Sequence, residues 1–265
     1  MLSKAKIQLI RSLEHKKFRA QHDLFVIEGD KAVRELLDSH LTVEYLLAKP
    51  AWVELLPVHL RNKANDLIEI NDRELSQISF LKTPNQVLAL VRIPEYSLDM
   101  AELTGGLSLY LNQVQDPGNL GTIIRIADWF GVRHIICDEG CADPFNPKTV
   151  QSTMGALIRV KTYPTDESFF QHLKNHHPDF PVYGTFLNGE NLFCTSLSPK
   201  AMIVMGNESK GISDTIAQHV NRRLLIPPYP PGEPTSESLN VATATAIVCA
   251  EFRRRTINID KKIFS

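Results

Sequence analysis

Short apolar runs of β character alternate with helix-length segments through the second half of this chain, and no other feature constrains its fold as much. Strand-like runs at 107–113, 133–138, 182–187, 201–206 and 222–227 alternate with helical segments at 119–130, 147–157, 166–176 and 213–220, before an alanine- and threonine-rich helix at 238–254. Buried runs joined by helices of this length form a largely parallel sheet covered on both faces. The fold class is therefore α/β, and ligands are expected beyond the C-terminal ends of its strands.

A smaller α/β unit precedes this series. Leu24 to Glu28 reads as a buried strand, and Gly29-Asp30 opens a helix carrying Ala32, Val33, Leu36 and Leu37. Strands at 43–48, 67–70 and 86–93 follow, with helices at 52–65 and 72–79 between them. Pro84, Pro94 and Gly105-Gly106 punctuate the end of this unit. They divide the chain into a domain at 1–93, a linker at 94–106 and a domain at 107–265.

With 43% hydrophobic and 22% charged residues the composition is that of a soluble globular protein. No stretch approaches the roughly 18 to 20 apolar residues of a membrane span. The basic N-terminus lacks the apolar region of a secretory signal, so a cytoplasmic protein is expected. Cys137, Cys141, Cys194 and Cys249 show neither paired spacing nor a histidine cluster, and they read as reduced thiols rather than a metal or disulfide framework. His172, His176 and His177 share a polar segment that reads as a solvated helix end, so no metal is expected.

The formal net charge is only −1, but it is distributed unevenly. Residues 1–22 hold Lys4, Lys6, Arg11, Lys16, Lys17 and Arg19 against Glu14, which gives +5 and leaves −6 on the remainder. Such a segment suits docking on phosphate at one edge of the molecule. It equally suits a solvated amphipathic helix burying Ile7, Leu9, Ile10, Leu13 and Phe18, and the two readings are compatible.

Three polar, glycine-containing segments stand at strand ends: Asn112 to Arg125, Gly206 to Gly211, and Ile226-Pro227 leading to Ser238-Leu239-Asn240-Val241. Taken singly, each has a plain structural reading. Asn119 is placed as a helix cap, Arg125 as a surface arginine with a carboxylate partner, Glu208 as a capping acid after a glycine turn, and Ser238 as an N-cap. The first segment lacks both the P-loop lysine pattern and a dinucleotide glycine fingerprint, which argues against a nucleotide-cofactor oxidoreductase. Taken in order at one sheet edge, the segments gather an arginine, a carboxylate, a serine and two asparagines where a ligand would sit.

In that order they resemble the three motifs of the SpoU, or TrmH, family of RNA ribose methyltransferases, over about 107–255. Residues 1–93, with Phe25-Val26-Ile27-Glu28-Gly29, are similar to the ribosomal-protein-like substrate-binding domain that precedes many of its catalytic domains. The resemblance implies an S-adenosyl-L-methionine-dependent enzyme that methylates a ribose 2′-hydroxyl in ribosomal or transfer RNA, ribosomal RNA by preference and transfer RNA as the alternative, with a C-terminal trefoil knot and a homodimer. It also implies a catalytic set of Asn119, Arg125, Glu208, Ser238 and Asn240. Cofactor contacts would fall on Gly206, Ile226 and Leu239, with Thr185 to Leu187 lining the pocket. In this reading Arg125 binds the adjacent phosphate and stabilises the developing alkoxide, with general-base action as the bolder alternative. The chain departs from many relatives in its proline-rich 227–234 loop and in Ala242. The rival from another class is a non-catalytic RNA-binding ribosome-assembly factor, which would have lost Arg125, Asn119 or the Ser238/Asn240 pair.

Overall fold

The computed structural model describes residues 2–166, 168–234 and 236–259. Along the chain the first elements are α1 (Lys4–Ser12), α2 (Lys16–His22), β1 (Leu24–Glu28), α3 (Asp30–Leu37), β2 (Val43–Ala48), α4 (Pro50–Glu54), α5 (Val58–Arg61), β3 (Ala64–Glu69), α6 (Asp72–Ile78) and β4 (Val87–Arg92). Then come α7 (Met100–Thr104), β5 (Leu107–Leu111), α8 (Pro117–Trp129), β6 (His134–Asp138), α9 (Pro147–Thr153), β7 (Lys161–Thr165) and α10 (Ser168–His176). The series closes with β8 (Val182–Asn191), β9 (Ala201–Met205), α11 (Asp214–Ala217), β10 (Arg222–Leu225) and α12 (Val241–Ile259).

These elements form two compact units, one of residues 1–95 with 143–158 and one of 96–142 with 159–265. The sequence assigned 107–265 to a single domain, whereas 143–158 groups with the first unit because it packs on β1. There the Phe145 ring lies 4.9 Å from that of Phe25, and Asp143 binds Arg19 at 2.6 Å.

The first unit has a four-stranded sheet in the order β1-β4-β2-β3, antiparallel except for the β2/β3 pair. Its core gathers Ile10, Leu13, Val26, Leu47, Leu88 and Leu90. α6 begins with a capping box, in which the Asn71 side chain accepts from the Glu74 N–H at 2.9 Å and the Glu74 carboxylate accepts from the Asn71 N–H at 3.0 Å. The basic N-terminal segment is two short helices rather than one. Ile10 and Leu13 are buried, but so is Arg19, whose guanidinium also donates to the carbonyls of Leu13 and Glu14. Arg19 is thus a structural cation and not a phosphate contact, while Lys4, Lys16 and Lys17 remain exposed.

The second unit has a six-stranded, wholly parallel sheet in the order β10-β8-β9-β5-β6-β7. After β5 the chain winds outward through β6 and β7, then crosses to build β8, β9 and β10 on the other side. The reversal between β5 and β9 opens a crevice at their C-terminal ends. β5 and β9 are buried along their whole length, as a strand covered on both faces must be.

Candidate active site

The first segment enters α8, but its cap is Asp116, not Asn119. The Asp116 carboxylate accepts from the Asn119 N–H at 2.8 Å, and Pro117 takes a first-turn position where its missing donor is harmless. Asn119 is thereby freed as a side chain and directed away from its own helix. Its Nδ2 donates to Glu208 Oε1 at 2.7 Å, and its Oδ1 accepts from Asn240 Nδ2 at 3.0 Å. One amide therefore joins all three segments.

Asn240, rather than Ser238, caps α12. Its Oδ1 accepts from the N–H groups of Ala242 and Thr243 at 3.0 and 3.2 Å, which fixes the direction in which its Nδ2 points. Ser238 is exposed and makes no side-chain hydrogen bond among the described residues. Arg125 lies further along α8, exposed beside Thr122 and Trp129 on one face, with no ion pair or hydrogen bond among the described residues. A carboxylate partner of the kind expected for a surface arginine is not found there.

Gly206 ends β9 under a tight turn. A Cβ on it would stand 2.3 Å from the carbonyl carbon of Gly211 and 2.4 Å from the nitrogen of Ile212, so only glycine permits this backbone crossing. Asn207, which stands in the second motif but was given no role from sequence, holds the loop that presents Glu208. It donates to the Gln113 carbonyl at 2.9 Å and accepts from the N–H groups of Ser209 and Lys210 at 3.0 and 3.1 Å. An asparagine following a strand-end glycine was the available signal. Buried Asn112 likewise ties the crevice, donating to Asp138 at 2.6 Å and accepting from the Ser213 N–H at 2.7 Å. The nearby Cys141 thiol is pushed far up by its hydrogen bond with Cys137 and by burial, which disfavours its thiolate.

The remaining expected contacts fall on neighbouring strands. Thr185 and Leu187 belong to β8, and Ile226 follows β10 directly. The β10/β8 register jumps from Arg223↔Gly184 to Leu224↔Glu190, so residues 185–189 form an irregular stretch between the two paired ends of the strand. Leu187 and Leu239 are 76% and 43% exposed, unusual for leucine. Uncovered apolar side chains beside an irregular stretch of strand suit an adenine ring, which needs both an apolar face and a hydrogen-bonded edge.

Residues 106–250 match the model of the SpoU rRNA Methylase family, and residues 4–89 match that of an MRM3-like substrate binding domain. A 23S rRNA guanosine 2′-O-methyltransferase of Bacillus subtilis is 32% identical over 94% of this chain and 96% of its own length. A TrmH-family structure from Porphyromonas gingivalis is 38% identical with a TM-score of 0.83, covering 96% of this chain and 99% of that one. An AdoMet-bound rRNA methyltransferase from Sinorhizobium meliloti is 29% identical with a TM-score of 0.84, covering 96% of each chain.

Proposed function

This chain belongs to the SpoU rRNA methylase family, and on that premise we propose that it transfers a methyl group from S-adenosyl-L-methionine to a ribose 2′-hydroxyl of ribosomal RNA. The observation that carries the reading is the hydrogen-bonded series Asn240–Asn119–Glu208, which ties three sequence-distant segments into one constellation.

Gly206, Ile226 and Leu239, with the backbone from Thr185 to Leu187, would hold S-adenosyl-L-methionine. Bound there, its sulfonium supplies an already activated methyl group. What the protein must add is alignment of the attacking 2′ oxygen and stabilisation of the charge that grows on it. A guanidinium keeps its proton near neutral pH, so Arg125 acts as a fixed positive charge that binds the adjacent phosphate and stabilises the developing alkoxide. Asn119, locked at both ends of its amide, and Asn240 set the shape of the ribose subsite. Glu208 holds Asn119 in its orientation, and Ser238 is left with a free hydroxyl for the nucleotide.

The reading extends to a cytoplasmic homodimer with the trefoil knot of its family. No helix among the described residues is long and apolar enough to cross a membrane. Trp129 at the end of α8 is 84% exposed, an apolar area of the kind that a second copy would cover. Light scattering on a sizing column is expected to give a dimer, and Trp129→Glu a monomer; a wild-type monomer at micromolar concentration would refute the dimer.

The decisive test of function is 2′-O-methyl mapping of RNA from cells with and without the protein. A site lost from ribosomal RNA is expected. Loss from transfer RNA would move the substrate, and no loss at all, together with no cofactor binding in calorimetry, would leave a non-catalytic assembly factor.

A further inference from the structure

The first unit contains a cavity of about 630 Å³ that none of the expected catalytic or cofactor-binding residues line. Its walls come from the end of β1, the start of α3, the 80–85 loop and α9, and all of them lie within the same unit. That volume falls within the roughly 300 to 1,000 Å³ range of small-molecule sites.

Two kinds of surface meet there. Phe80, Leu81, Val150 and Met154 supply an apolar wall, with Met154 more than half exposed. Against it stand Glu28, Asn85 and Gln151. The Glu28 carboxylate accepts one hydrogen bond on each oxygen, from the Phe80 N–H at 2.8 Å and from the Ser79 hydroxyl at 2.5 Å. Each carboxylate oxygen keeps capacity for a further donor, and the two bonds lock the group in place. Burial also raises its pKa, against the lowering by these two hydrogen bonds. Asp30, by contrast, is committed to Arg34 and to the Trp52 indole, each at 2.6 Å. Gln151 makes no side-chain hydrogen bond among the described residues. Gly29, also in the lining, has φ +104°, a conformation that disfavours any side chain. Lys31 and Lys82 are exposed on or next to the lining, where they would meet a phosphate backbone.

We propose that this cavity takes one unpaired base of the RNA, guanine by preference, with its paired N–H edge on Glu28 and its ring against the apolar wall. Single-stranded RNA is read in this manner, by splayed bases that stack on side chains and bond along their Watson–Crick edge. Guanine fits because its N1–H and N2–H form two parallel donors that match a fixed carboxylate, whereas uracil has one donor between two acceptors. The inference rests on the reading of the chain as an RNA methyltransferase, since it names where that substrate is gripped away from the reacting ribose.

The test is steady-state methyl transfer by the full-length protein on the RNA mapped above. It compares wild type with Glu28→Gln, which removes the paired acceptor, and Gln151→Trp, which blocks the mouth from an exposed helix position. Both variants are expected to raise KM for RNA about tenfold while kcat and the Kd for S-adenosyl-L-methionine stay within about twofold. Guanosine monophosphate is expected to compete with RNA more strongly than uridine monophosphate. Unchanged KM in both variants of an enzyme that turns over overturns the cavity assignment, and equal competition by the two nucleotides overturns guanine. Absence of turnover by the wild type on any RNA would overturn the underlying function instead.

Discussion

Arg19 in the first unit and Arg125 in the second both stand on helices, yet their fates differ. Arg19 is 2% exposed and bound to Asp143 at 2.6 Å, whereas Arg125 is exposed without an ion pair among the described residues. Their surroundings do not explain it. In the first unit Lys6 binds Asp66, Arg34 binds Asp30 and Lys49 binds Asp72. In the second, Asp128 on α8 binds Arg159, and Arg125 three residues before it takes no part in that pair. A cation with an internal partner is consumed by its own fold, while one held unpaired on a rigid helix is available to an external phosphate. A charge tally along the chain locates neither, because the +5 segment contains the consumed arginine and the acidic remainder the available one.

Exchanging the two fates gives the largest effect. Arg19→Ala strands the half-buried Asp143 and two carbonyls, and is expected to cost about 3 to 5 kcal/mol in denaturant unfolding. A loss under about 1 kcal/mol would show that the pair is not consumed by the fold. Arg125→Ala is expected to leave stability unchanged and to lower kcat about 10²- to 10³-fold, with S-adenosyl-L-methionine still bound in calorimetry. Wild-type turnover in that variant would remove Arg125 from the mechanism. Gly206→Ala forces backbone apart and is expected to cost about 1 to 3 kcal/mol in thermal unfolding; an unshifted melting curve would mean that the crossing is loose. Asn240→Ala removes the α12 cap, for about 1 kcal/mol, and also frees Asn119. Its kcat should fall further than so small a stability change explains, and a kcat equal to wild type would dissociate the cap from the site.

The smallest effect is in pH, where two carboxylates shift in opposite directions. Burial lifts Glu28 above the ordinary 4.5, so the folded first unit holds a proton that the unfolded chain has released, and its stability declines as pH rises from 4.5 through the raised value. Glu251 is lowered below 4.5 by hydrogen bonds from Arg254 and Arg255, so its contribution is present above 4.5 and is lost as pH falls through the lowered value. Hydrogen exchange read separately in β1 and α12 is expected to show these opposite slopes. Glu28→Gln should flatten only the first, and parallel slopes in both elements would contradict the assignment.

Strands with an unbroken apolar run were legible in the sequence, and strands interrupted by polar residues or proline were not. β1 and β2 begin and end where their apolar runs do, at 24–28 and 43–48. β7 was missed, and β3 was expected only from 67, its first two residues being given to a helix spanning 52–65; both lie at sheet edges. β7 contains Lys161, Thr162 and Pro164, and β3 contains Asn65 and Asp66, residues that an edge tolerates and that blunt the apolar pattern. In the site, residue types and order were visible while the caps were misassigned by two or three positions. Asp116 and Asn240 take the capping roles that proximity alone gave to Asn119 and Ser238.

The sequence by itself determined the α/β alternation, the central strands and the presence of three polar segments at their ends, because burial imposes a period that local reading detects. Only the tertiary structure decided which polar groups meet. Asn119 finds Glu208 across 89 residues and Asn240 across 121, and Arg19 finds Asp143 across 124. Hydrophobic periodicity records which face of an element is buried but not which distant donor will fill a given lone pair. That pairing is fixed only when the winding of the sheet brings the ends of β5, β9 and β10 to one edge.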